Sequence, residues 1–184
     1  NTTSSMFAGV GSLNPVGPFG SFICTGTPIS SRHLLTAGHC VDADDNGVVD
    51  AVPGSSSFFL NFGSNISHTL GISAFSIHPD FTGFGNASVN DDVAIVTLSS
   101  NLPASVPIYP INTSPFSSAT TFTAAGYGTT GDGVTGFIGG SASFTTKRVG
   151  QNVASISVLD DEGSGEKEGF EFDFDGPTGA TSFD

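Results

Sequence analysis

The chain has 184 residues, 37% of them hydrophobic, and a formal charge of −13 from 17 Asp and Glu against 4 Lys and Arg. That length fits one domain, able to bury roughly 70% of the surface its unfolded chain would expose. The charge argues against a nucleic-acid partner and against an anionic membrane surface, because both need a basic footprint.

No apolar run reaches the ~20 residues that span a bilayer. Asn1-Thr2-Thr3-Ser4-Ser5 has neither the basic start nor the apolar core of a signal peptide, so the expectation is a mature or trimmed product. Helical periodicity is nearly absent. Short β-favouring runs alternate with Gly, Pro, Asn, Asp and Ser. They predict strands over Phe7 to Leu13, Phe19 to Thr25, His33 to Thr36, Phe58 to Phe62, Leu70 to Ile77 and Val93 to Leu98. Further strands are predicted over Thr120 to Tyr127, Ser141 to Val149, Asn152 to Leu159 and Phe170 to Phe174. In Phe170-Glu171-Phe172-Asp173-Phe174 apolar and acidic residues alternate, the period of a half-buried strand. Asp160 to Gly169 is acidic and glycine-rich and reads as an exposed loop. Many short strands of this kind make an all-β barrel or sandwich. With 17 Phe and no Trp, the core is expected to be filled largely by phenylalanine.

The two cysteines, Cys24 and Cys40, fit no zinc spacing. Two buried thiols are one reading. The favoured one is a disulfide closing a loop of about 15 residues, worth roughly 3 kcal/mol in the chain-entropy model, which implies an oxidising compartment.

A serine nucleophile needs an imidazole as base, held in one tautomer by a buried carboxylate. His39 suits the first role. His33-Leu34-Leu35 leads in, Thr36-Ala37-Gly38 permits a tight turn, and Cys40 pins the next position if the disulfide forms. Asp92 suits the second, because Val93-Ala94-Ile95-Val96-Thr97-Leu98 follows it. Asp91 competes, and on a strand only one of the two can face His39. Taken singly, a histidine before a cysteine and an aspartate heading a strand are ordinarily structural. Together, in this order and at this separation, they point to nucleophilic catalysis.

These segments resemble the trypsin/chymotrypsin family of serine endopeptidases. Cys24-Thr25-Gly26-Thr27-Pro28-Ile29-Ser30 and Leu35-Thr36-Ala37-Gly38-His39-Cys40 resemble its histidine region. Ile77-His78-Pro79-Asp80-Phe81 and Asp92-Val93-Ala94-Ile95 resemble its aspartate region, and Ala125-Gly126-Tyr127-Gly128-Thr129-Thr130 resembles the motif opening its second barrel. The resemblance covers most of residues 7–130 and is of bacterial style. It implies two antiparallel β-barrels, the first over about 1–112 and the second, incomplete in this chain, over 113–184. It makes His39 the general base, Asp92 rather than Asp91 its orienting partner, Cys24–Cys40 a disulfide and His78 structural. It also implies a protein or peptide substrate and secretion, outside the cell or into a periplasm.

The chain departs from that family in three ways. Gly-Asp-Ser-Gly-Gly, the segment around the nucleophile, is absent; Gly163-Ser164-Gly165 and Gly140-Ser141-Ala142 lack the aspartate. The last strands of the second barrel are not accounted for, and there is no Ile-Val-Gly-Gly start. The expectation is a nicked protease whose separate C-terminal chain carries the serine, the 184 residues alone being inactive. A disordered C-terminal part and a catalytically inactive binding module on the protease fold are the alternatives.

Asp42-Ala43-Asp44-Asp45-Asn46-Gly47-Val48-Val49-Asp50 matches the start of an Asp-x-Asp-x-Asn-Gly calcium loop. Asp42, Asp44, Asn46, the Val48 carbonyl and Asp50 would be the ligands of a structural Ca²⁺ beside His39. Pro53 stands where the bidentate Glu is expected, and a solvated acidic loop is the alternative. Sequons at Asn1, Asn65, Asn86 and Asn112 are ordinary for so much Asn, Ser and Thr.

Overall fold

The computed structural model describes residues 3–83, 91–114, 117, 119–132, 134 and 136–172. Six strands close into an antiparallel barrel in the order β1-β4-β5-β8-β7-β6. They are β1 (Gly11–Asn14), β4 (Cys24–Pro28), β5 (His33–Thr36), β6 (Ser57–Leu60), β7 (His68–Ile77) and β8 (Ala94–Leu98). A short hairpin, β2 (Val16–Gly17) with β3 (Gly20–Ser21), stands outside it. The barrel shuts where β6 returns to β1, with Leu13 opposite Phe58.

Side-chain alternation explains these strands. In β8, Ala94, Val96 and Leu98 point inward and are buried; in β6, Phe58 and Leu60 do the same. Leu13, Leu34, Leu70 and Ile72 complete the lining, and Leu102 and Val106 plug it from the segment after β8. Burying each of these side chains contributes about 1.5–3 kcal/mol. The aromatic core expected from composition is not what forms. Among the described residues only Phe58 and Phe81 are buried phenylalanines, while Phe19, Phe22, Phe137, Phe170 and Phe172 are exposed. A six-stranded barrel is narrow, so branched aliphatic side chains fill it and most rings stay outside.

The second sheet has three antiparallel strands in the order β11-β10-β9. These are β9 (Thr121–Asp132), β10 (Gly136–Leu159) and β11 (Lys167–Phe172). The two strands expected over Ser141 to Val149 and Asn152 to Leu159 are one continuous strand. Gly150, which stands between them, pairs in register with Ala124, and the register shifts fall earlier, between Ile138 and Ser143 and between Ser143 and Arg148. Phe122, Phe170 and Phe172 stack edge to face across this sheet, the Phe122 ring 5.1 Å from each of the other two.

Elsewhere the boundaries move. Phe7 and Ala8 are in turns, so only the end of the first expected strand pairs, and Phe19 to Thr25 divides between β3 and β4. Asp160 is buried, not exposed, because its carboxylate accepts from the N–H groups of Glu162 and Ser164 and so folds the β10–β11 turn on itself. Lys167 to Gly169, expected in that loop, already belong to β11. Asp173 and Phe174, and the sequons at Asn1 and Asn86, lie outside the described residues.

The barrel meets the second sheet along a polar seam. Ser12 Oγ donates to the Phe144 carbonyl at 2.8 Å, Asn61 Nδ2 to the Thr145 carbonyl, and Tyr127 N–H to Thr25 Oγ1 at 2.9 Å. Buried polar side chains of one unit thereby satisfy main-chain groups of the other.

Candidate active site

β5 ends at Thr36, and the chain turns through one turn of 3-10 helix, Gly38–Cys40. Ala37 enters it in extended conformation, and the Cys40 and Val41 N–H groups close it on the Ala37 and Gly38 carbonyls. A disulfide joins Cys40 to Cys24 at the head of β4, with the Cα atoms 6.2 Å apart. This bond selects between the two readings of the cysteines. It fastens the residue after His39 to a barrel strand.

Asp92 lies just before β8, the strand that pairs with β5, with Thr36 opposite Ala94. Its carboxylate grips His39 twice. Oδ1 accepts the His39 backbone N–H at 2.8 Å, and Oδ2 accepts from Nδ1 at 2.7 Å. Nδ1 therefore carries the proton, which leaves Nε2 as the basic nitrogen. The His39 side chain is 45% exposed and that of Asp92 only 21%. The hydrogen bond from Asp92 raises the His39 pKa above its ordinary 6.5 against the opposing effect of burial. Burial pulls the Asp92 carboxyl upward, but the bonds from the His39 ring, the His39 N–H and the Gly38 N–H together hold it below 3.8.

Gly38 makes this approach feasible. A Cβ there would stand 3.1 Å from Asp92 Oδ1 and 3.1 Å from the Phe81 ring. Phe81 is buried beneath the turn, a supporting role that sequence reading missed. The one signal was its place in the Ile77 to Phe81 segment.

Asp91 does not compete for His39. Neither aspartate is on the strand, so strand alternation does not separate them. Asp91 has a left-handed backbone, φ 61°, which sends its carboxylate to His78 instead, Oδ1 to Nδ1 at 3.2 Å. Each neighbouring carboxylate thus serves a different histidine.

The loop from Asp42 to Asp50 lies directly beyond the turn. Asp42 is fully buried and accepts from the Asn46 and Gly47 N–H groups, while Asp50 accepts from Ala43. Gly47 has φ 80°, and a Cβ on it would come within 2.9 Å of the Phe81 carbonyl. Asp42, Asp44 and Asp50 each bring one carboxylate oxygen within 4.8 Å of the others. Desolvation, then the charges of Asp50 and Asp42, raise the Asp44 pKa. Asn46 turns its Oδ1 onto the Val48 N–H. The three aspartates fit a hard cation; that bond engages Asn46 Oδ1 and the Val48 N–H, not the Val48 carbonyl expected as a ligand.

Among the described residues no helix is long and apolar enough to cross a membrane. The family model named Trypsin matches residues 9–154. Trypsin alpha-4 of Lucilia cuprina is 31% identical over 116 residues, covering 62% of this chain and 42% of that protein. Venom serine protease Bi-VSP of Bombus ignitus is 34% identical over 88 residues, covering 48% of this chain and 23% of that protein. The chain thus spans less than half the length of these curated relatives. Among solved structures, a Glu endopeptidase in complex with MPD superposes with TM-score 0.62 at 16% identity, covering 95% of this chain and 77% of that one. Human heparin binding protein superposes with TM-score 0.57 at 21% identity, covering 82% and 62%. These two likenesses establish the fold; the family match over 9–154 establishes the kinship, and the chain belongs to the trypsin family.

Proposed function

We propose that this chain is the base-bearing part of a secreted serine endopeptidase. His39 Nε2 takes the proton of a serine hydroxyl as that oxygen attacks a peptide carbonyl, then returns it to the leaving amine. Asp92 keeps the proton on Nδ1 and stabilises the imidazolium. The observation that carries this reading is the double grip of Asp92 on His39, 2.8 Å to the backbone N–H and 2.7 Å to Nδ1. A carboxylate engaged merely to cap a turn would need only the first of these bonds.

The serine lies outside these 184 residues in this reading, on a C-terminal chain or segment that stays associated. Three observations support that. Gly-Asp-Ser-Gly-Gly is absent from the sequence. The chain spans 42% and 23% of its curated relatives. β9 and β11 form the two edges of the second sheet, with Phe170 and Phe172 exposed beside them, and open edges of this kind invite further strands. The substrate is a protein or peptide. A structural Ca²⁺, held by Asp42, Asp44 and Asp50 with help from Asn46 and Val48, would stiffen the loop behind His39 and takes no part in the reaction.

The missing serine motif also favours a second reading, a catalytically inactive binding module on the same fold. Substitution separates the two. In the assembled protein, His39→Ala should abolish peptide hydrolysis while leaving the protein folded, and Asp92→Asn should lower turnover by about 10⁴-fold. Hydrolysis that survives His39→Ala removes the proposed role.

A further inference from the structure

We infer that His78, Asp80 and Asp91 form a site for a divalent cation of the zinc class, separate from the acidic loop at residues 42–50. His78 Nδ1 lies 3.2 Å from Asp91 Oδ1 and 3.9 Å from Asp80 Oδ2. One donor atom from each of the three falls within 4.8 Å of the other two. Tetrahedral Zn²⁺ with bonds near 2.0 Å sets its ligands about 3.3 Å apart, so the His78–Asp91 spacing already has the length of one edge of that tetrahedron.

The donor set also discriminates between metals. A neutral imidazole with two carboxylates suits zinc and its neighbours, whereas Ca²⁺ and Mg²⁺ prefer oxygen alone. The aspartates at 42, 44 and 50 offer only oxygen, so the two clusters should separate the two kinds of ion. Access and rigidity are both met. His78 is 41% exposed and Asp80 57%, open to an arriving ion, while Asp91 is only 11% exposed and fixed in its left-handed turn. Asp91 also belongs to a second group, with Asp161 and Glu162 of the β10–β11 turn and Glu168 near the head of β11, whose carboxylate oxygens lie within 4.8 Å of one another. Among the described residues no Lys or Arg forms an ion pair with any of these carboxylates, so their charge is left for a cation to neutralise.

The site would join the barrel to the second sheet. Through the Asp91–Asp92 peptide bond it would also touch the segment that orients His39. That last link rests on the proposed role of the His39–Asp92 pair; the cation site itself does not.

The test is calorimetric titration of the assembled protein with Zn²⁺ after chelator treatment, repeated on His78→Gln, Asp91→Asn and His39→Ala. Asn tolerates the left-handed backbone at position 91, so that variant keeps the turn and loses only a charged ligand. Thermal melts of each variant establish that it is folded. One equivalent of Zn²⁺ should bind the unaltered chain and His39→Ala alike, and His78→Gln and Asp91→Asn should weaken it by roughly tenfold or more. Absence of binding, binding unchanged in His78→Gln, or binding lost in His39→Ala would each overturn the proposal, the last by placing the ion on the other imidazole. Because the readout is binding, a failure here leaves the protease reading untouched, and failure of that reading leaves this result intact.

Discussion

At the scale of residues, the His39–Asp92 pair sets opposite demands on stability and activity. His39 has a raised pKa, so its bond stabilises the fold fully below 6.5, and that contribution fades as pH rises through the folded value. Asp92 has a lowered pKa, so its contribution is present above 3.8 and fades as pH falls through its folded value. The pair therefore stabilises the fold most between these limits, whereas a general base works only once His39 has lost its proton. The rate of hydrolysis by the assembled protein should rise with pH to a plateau, with a midpoint above 6.5. Titration of the His39 ring by NMR in the free chain should give the same displaced midpoint, and a value at or below 6.5 would contradict the geometry. The pairing of His39 with Asp92 was legible because each sits in a short local motif. The choice between Asp91 and Asp92 was not legible from alternation, because both precede β8 and the left-handed backbone at Asp91 decides it. Phe81 was illegible as a support because the segments that approach it, its ring at Gly38 and its carbonyl at Gly47, are far from it in sequence.

At the scale of elements, the turn carrying His39 is held from two sides. On one side the disulfide ties Cys40 to β4. Replacing both cysteines by serine should cost about 3 kcal/mol in denaturant unfolding, and a loss under 1 kcal/mol would mean that the barrel alone fixes the turn. On the other side stands the acidic loop, closed by its own backbone bonds to Asp42 and Asp50. Three converging carboxylates repel one another, and a bound cation would relieve that repulsion. EDTA should therefore lower the melting temperature, and added Ca²⁺ should restore it; an unchanged transition would leave the loop a solvated acidic turn. Strands with clean alternation, such as β5 and β8, were readable from sequence to within a residue. β10 was not, since Gly150, which read as a break, pairs in register with Ala124 inside one strand.

At the scale of the whole molecule, one closed barrel and one open sheet meet along a seam of buried hydroxyl and amide groups. The narrow bore of the barrel, filled by aliphatic side chains, explains why composition misjudged the core. Most of the 17 Phe do not fill the barrel; several sit on the second sheet, where Phe122, Phe170 and Phe172 pack on each other. The all-β class and the order of a barrel followed by a second sheet were legible because their motifs are local. The partners of the second sheet's edges were not, because among the described residues no further strand pairs with β9 or β11.

The central claim is that His39 and Asp92 activate a serine carried beyond these residues. The most direct measurement is labelling of the assembled protein with a fluorophosphonate serine probe, read as intact masses under denaturing conditions, beside its His39→Ala variant. The account expects one label on a serine outside residues 1–184, present in the unaltered protein and absent from the variant. An unlabelled protein, or a label that persists without His39, would contradict it.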